Sequence, residues 1–119
     1  MSEPALLVED ELLVALDLQD ILESLPLVVD GPYDHVAHAL EVIGDGCHCV
    51  AVLDVSLRDG DVFPLADELA ELGVPMIFHS GHADTGHLLA RYPAARFCPK
   101  PCSPSHLLAT VRELLEAQV

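Results

Sequence analysis

Positive charge is scarce in this chain: five Lys and Arg stand against twenty Asp and Glu, for a formal net charge of -15. That sign is wrong for neutralising the phosphates of a nucleic acid, so direct DNA or RNA binding is excluded as an expectation. No apolar run approaches the roughly 20 residues of a membrane-spanning helix, and no basic segment precedes an apolar stretch at the N-terminus. Membrane insertion and secretion are therefore not expected, which points to a cytoplasmic protein. Repeats, linkers and low-complexity stretches are also missing, and 119 residues suit one domain over 1–119 with one hydrophobic core. Four cysteines could pair, but nothing marks an oxidising compartment and half the residues are apolar, so reduced thiols are expected.

What is present is a regular alternation of short apolar runs and longer amphipathic ones. Ala5 to Val8 reads as a strand, and Val14, Leu18, Ile21, Leu22 and Leu25 then recur at helical spacing. Leu27 to Val29 is a second strand ended by Gly31-Pro32, followed by a helix on Val36, Leu40 and Ile43 that Gly44 closes. Cys49 to Leu53 is apolar on both faces, as a central parallel strand would be. A third helix carries Val62, Ala66, Leu69 and Leu72, and Met76 to Phe78 is a fourth strand. Asp84 would cap a short helix with Leu88, Leu89 and Tyr92 on its buried side. Arg96 to Cys98 is the fifth strand, and Ser103-Pro104 starts a last helix bearing Leu107, Leu108, Val111, Leu114 and Leu115. Five strands alternating with five helices predict an α/β fold, a doubly wound parallel sheet.

In such a sheet the functional crevice lies beyond the carboxyl ends of the strands. Glu9 and Asp10 end the first strand, Asp54 the third, Ser80 the fourth, and Lys100 follows the fifth. Carboxylates brought this close repel one another unless a cation sits among them. Magnesium takes one or two carboxylates, waters and phosphate oxygens, so Asp10 and Asp54 suit it as ligands, with Glu9 close by. Lys100, the single lysine, lies between two prolines in Cys98-Pro-Lys-Pro-Cys102, away from the helix surfaces where solubilising lysines are usual. A carboxylate, a hydroxyl, an ammonium and a divalent ion make a site for receiving a phosphoryl group, with Asp54 as the acceptor.

Together these residues resemble the receiver domains of the response-regulator family in two-component signalling. Leu7-Val-Glu9-Asp10 is similar to the family's acidic pair, Val52-Leu-Asp54 to its phosphoacceptor, Phe78-His-Ser80-Gly81 to its switch hydroxyl, and Lys100-Pro101 to its lysine and following proline. The interval from Asp10 to Asp54 is usual for the family, whereas that from Asp54 to Ser80 is a little short and Arg58 stands where proline is common. The resemblance implies the flavodoxin-like strand order 2-1-3-4-5. It implies that a histidine kinase or histidine phosphotransfer protein phosphorylates Asp54, and that Mg2+ is held by Asp10, Asp54 and the Ser56 main-chain carbonyl, with Glu9 acting through water. It also implies that Ser80 and Phe97 form the switch, and that Ser56 and His82 tune the phosphate lifetime. Pro75 to His82 further resembles a divergent PFxFATGY-type motif of some stand-alone receivers. A chain ending just after the fifth helix is expected to act through a partner, either by binding a downstream protein target directly or by passing its phosphate on to a histidine phosphotransfer protein in a phosphorelay.

Blander readings exist for each residue taken singly. Acidic residues at a helix start favour its dipole, and Glu11 is expected only to start the helix; Phe97 alone reads as core. Cys47-His48-Cys49 with His35 and His38, joined by Cys98 and Cys102, invites a zinc reading that the spacing disfavours. His79, His82 and His87 read as loop or helix histidines. A phosphatase of the haloacid dehalogenase type would need an aspartate two residues after the nucleophile as general acid and base, where this chain has Ser56. A pseudo-receiver adaptor that never carries phosphate is the remaining alternative.

Overall fold

The apolar runs form strands β1 (Pro4–Val8), β2 (Val28–Tyr33), β3 (Val50–Asp54), β6 (Met76–Ser80) and β7 (Arg96–Pro99), all pairing in parallel in the order β2-β1-β3-β6-β7. Counting these five alone, the order is 2-1-3-4-5, as expected. The computed structural model describes residues 4–44, 48–57, 60–80, 85–100 and 102–117. Helices α1 (Leu12–Glu23), α2 (Val36–Ile43), α3 (Phe63–Glu71), α4 (Thr85–Arg91) and α5 (Pro104–Glu116) connect the strands.

Alternation along each strand divides the core in two. Leu6, Val8, Ala51, Leu53 and Phe78 face one way, against Ala39 of α2, Leu65 and Leu69 of α3 and Leu88 of α4. Ala5, Leu7, Val50, Val52 and Ile77 face the other, against Leu18 and Leu22 of α1 and Leu107 and Val111 of α5. Both faces of β1 and β3 are thus covered, which is why their residues are apolar without a break up to Asp54 at the end of β3.

Three elements depart from the sequence-based expectation. β2 runs through Gly31-Pro32 to Tyr33 instead of ending there. It is an edge strand, where proline's missing N–H is tolerated, and a register shift between Leu6 and Val8 accommodates it. Gly31 has φ +123°, and a Cβ there would collide with the Leu7 carbonyl oxygen. β6 continues past Phe78 through His79 to Ser80 because both still pair, with Cys98 and Pro99 of β7. A small antiparallel ribbon that the apolar pattern does not announce, β4 (Ser56–Leu57) with β5 (Gly60–Asp61), follows Asp54 directly.

The helix starts follow the expected chemistry in part. Ser103 caps α5, its hydroxyl accepting from the His106 N–H at 3.1 Å. Leu88 and Tyr92 are buried as read, whereas Leu89 and Leu72 are exposed. Asp84, the anticipated cap of α4, lies outside the described residues. Among the described residues no helix is long and apolar enough to cross a membrane.

Candidate functional site

The strand order reverses between β1 and β3, so the chain leaves them in opposite directions and a crevice opens at their carboxyl ends. Glu9 follows β1 and Asp54 ends β3, and both are buried, at 2 % and 6 % exposure. Asp10, half-buried beside them, completes a group whose carboxylate oxygens lie within 4.8 Å of one another. From the far side of β6, Lys100 reaches over from the end of β7. Its Nζ lies 3.4 Å from Asp54 Oδ1 and 3.6 Å from Glu9 Oε1.

The electrostatics follow from that crowding. Burial acts to raise the pKa of Glu9, but contacts with His79, the Glu11 N–H and Asp54, together with the charge of Lys100, bring it below the ordinary carboxylate range. Burial acts to lower the pKa of Lys100, and the charges of Asp54, Glu9 and Glu11 outweigh it and raise the value. The site therefore holds an ionised Glu9 against a firmly protonated Lys100. Three hard oxygen donors beside one ammonium fit a hard divalent cation: Mg2+ would be held by Asp10 and Asp54 with Glu9 adjacent.

Two side chains contribute differently from expectation. Glu11 caps α1 by position but makes no side-chain capping bond; its Oε1 lies 3.6 Å from Lys100 Nζ, so it belongs to the charge cluster as well. His79 sits inside β6, 2 % exposed, with Nδ1 3.5 Å from Glu9 Oε1. Period-two alternation could have found it, since His79 shares the face of Ile77 and so points toward α1 and α5. Phe97 is half-buried and packs against the core on the face of Phe78, with which it pairs in register. Ser56 and Ser80 are described by their main chain, in β4 and at the end of β6, and their side chains, like His82, Arg58 and Pro101, lie outside the described residues.

The zinc set that the spacing disfavours is dispersed among the described residues. His48 Nε2 pairs with Asp30 Oδ2 at 2.8 Å, Cys49 is buried, and Cys47 lies outside the described residues. His35 and His38 cluster with Asp34 elsewhere. The expectation of reduced thiols fails at one place: Cys98 and Cys102 form a disulfide. The turn from β7 into α5 is tight enough to bring their Cα atoms to 5.7 Å, within the range a bridge requires.

No family model and no curated protein matches the sequence. Solved structures do match, over nearly the full length. SdrG from Sphingomonas melonis is 35 % identical, with 96 % of this chain and 97 % of that chain covered and a TM-score of 0.79. The non-phosphorylated HemR receiver domain from Leptospira biflexa is 25 % identical, with 96 % and 94 % covered and a TM-score of 0.84. The CheY-like response regulator receiver domain protein from Methanospirillum hungatei superposes with a TM-score of 0.87 over 99 % of this chain and 97 % of that one, at 23 % identity, and so speaks to the fold. The chain belongs to the response-regulator receiver family.

In this receiver the acidic group, Asp54 and Lys100 are gathered at the crevice by three different strand ends. Glu9, Asp10 and Lys100 are the first residues after a strand, where the backbone leaves the sheet, and Asp54 is the last residue of one.

Proposed function

We propose that this receiver, spanning residues 1–119, accepts a phosphoryl group on Asp54 from a histidine kinase or histidine phosphotransfer protein and passes the signal to a protein partner. The observation that carries this is the placement of the Asp54 carboxylate, buried at the end of β3, 3.4 Å from the one lysine and within a cluster of carboxylates. An Asp54 carboxylate oxygen attacks phosphorus: an O–P bond forms, the N–P bond of the donor's phosphohistidine breaks, and the donor imidazole leaves and takes a proton from solvent. Lys100, held as an ammonium, pairs with a phosphoryl oxygen that takes the place of the carboxylate contacts it now makes. Bound Mg2+ would neutralise the charge gathering on the transferring phosphoryl group. Asp10 and Asp54 would hold it with the Ser56 main-chain carbonyl, and Glu9 would act through water. Ser80 donates to the phosphoryl group once it is attached, and Phe97 repacks with it, with Ser56 and His82 setting the phosphate lifetime.

A partner needs a surface beside Asp54, and α1 offers one. Leu12, Leu13 and Leu16 are exposed at 68 %, 80 % and 46 %, just after the acidic loop. Apolar side chains grouped next to a site are a feature of docking faces. The acidic charge supports a cytoplasmic signalling protein that does not bind nucleic acid directly, and among the described residues no helix is long and apolar enough to cross a membrane.

The test is intact-mass measurement after incubation with acetyl phosphate, with and without Mg2+, for the wild type and Asp54→Asn. A magnesium-dependent gain of one phosphoryl group in the wild type alone is expected. Equal gain by Asp54→Asn overturns the acceptor assignment. A folded wild type that gains nothing even on rapid quenching makes the chain an adaptor.

A further inference from the structure

We propose that Cys98 and Cys102 form a reversible redox site that sets the placement of Lys100, and hence the rate at which Asp54 accepts phosphate. The inference rests on the phosphoacceptor reading of Asp54 for its consequence, but not for its chemistry.

The two cysteines bracket Lys100 in Cys98-Pro-Lys-Pro-Cys102, and their bridge closes the short loop that carries it. A disulfide over so short a loop removes little freedom from the unfolded chain, so it does little for the fold as a whole. Its effect is local. It ties the end of β7 to the entry of α5, with Lys100 between the two anchors and its Nζ directed at Asp54, Glu9 and Glu11. In a reducing compartment a bridge of this kind is transient, formed and broken by changing conditions.

The two sulfurs are unequal, as a redox pair requires. Cys98 is fully buried in β7, whereas Cys102 is half-exposed and lines a cleft of about 480 Å³ shared with Lys100, His79, Glu11 and Leu18. A small hydroperoxide entering that cleft meets Cys102 first. His106, in the first turn of α5, places Nδ1 3.8 Å from Cys98 Sγ, close enough to take its proton. With hydrogen peroxide as oxidant, the Cys102 thiolate attacks one peroxide oxygen: an S–O bond forms, the O–O bond breaks, and hydroxide leaves and is protonated to water. Cys98, giving its proton to His106, then attacks the sulfenic sulfur: the S–S bond forms, the S–O bond breaks, and the departing hydroxide takes the proton as water. Two thiols and one peroxide thus give one disulfide and two waters. A dithiol reductant reverses the change by exchange, beginning at the accessible Cys102 sulfur.

With the bridge intact Lys100 is held against the carboxylates; with it broken, only Lys100's own contacts keep it there. Because Lys100 is the only lysine, an amine-reactive ester reports its placement without reference to phosphate. The full chain is treated with hydrogen peroxide or with a dithiol, and alkylatable thiols are counted after denaturation. Lys100 acylation is followed by peptide mass without Mg2+, and acetyl phosphate uptake is followed with it. Peroxide is expected to remove the Cys98 and Cys102 thiols as one bridged peptide and to slow Lys100 acylation. Reduction should lower the uptake rate, by up to about a hundredfold for a displacement of Lys100 of about an ångström. Cys102→Ser, at the half-exposed position, should show neither difference, and Cys98→Ser is the companion variant within the core.

Equal acylation rates in the two states overturn the proposal, as does failure of peroxide to form the bridge. Zinc retained by the reduced chain, with the bridge unable to form until a chelator is added, also overturns it and makes Cys98, Cys102 and His106 a metal site instead. If neither state takes up phosphate while acylation still follows the bridge, the acceptor reading fails and the redox placement of Lys100 stands.

Discussion

Glu9 is ionised in a place where burial alone would favour the protonated acid. Its folded value lies below the ordinary 4.5, so its contribution to stability is present above that pH and is lost as pH falls through the lowered value. Lys100 is the mirror case: its value lies above 10.5, so its contribution is present below that pH and is lost as pH rises through the raised value. Lys100→Ala removes the cation from a buried carboxylate and should cost about 2 kcal/mol in urea unfolding with chelator present. Added Mg2+ should recover much of that loss, because a cation that binds the folded state alone stabilises it by mass action. The pairing of Lys100 with Asp54 was legible from the sequence because both sit at predicted strand ends. The pairing of Lys100 with Glu11 was not, since a glutamate at a helix start has an adequate local explanation that hides a distant partner.

At the scale of elements, β2 and α4 are the parts whose neighbours decide them. β2 reads as a strand broken at Gly31-Pro32, yet it continues, because the edge of the sheet does not need the missing N–H. Gly31→Ala should destabilise the fold by about 2 kcal/mol, measured by denaturant midpoint, since the left-handed backbone and the Leu7 carbonyl both resist a side chain. Helix α4 is held to α3 by Asp67, which accepts from Tyr92 Oη at 2.6 Å and from Arg91 Nη2 at 2.8 Å, while the Arg91 guanidinium lies 4.5 Å over Phe63. These are surface contacts of modest strength. Asp67→Asn should speed amide exchange in the segment around Leu88 while leaving the global unfolding midpoint nearly unchanged. Equal speeding across the whole sheet would show that α4 does not open as a unit.

Taken as a whole, the molecule hides both of its tyrosines behind carboxylates. The hydrogen bond to Asp30 chiefly pushes Tyr33 up to about 12, and burial with the Asp67 contact pushes Tyr92 up to about 12. Raised values favour the neutral phenol, so this stabilisation is complete below pH 10 and is lost as pH rises toward 12. Absorbance at the phenolate wavelength should therefore show no step near 10 in the folded chain and should show one after unfolding in denaturant; a folded-state step near 10 would refute the pairing. The strand and helix order, the parallel class and the acidic, lysine-bearing edge were determined by the sequence itself, because apolar periodicity and strand-end position are local properties. Tertiary structure decided the rest. His79 became a buried neighbour of Glu9 and Glu11 a partner of Lys100, because each depends on which chain segments pack together, and that is set only when the two faces of the sheet are covered; Cys98 and Cys102 meet because the turn from β7 into α5 is tight, a geometry that composition does not announce.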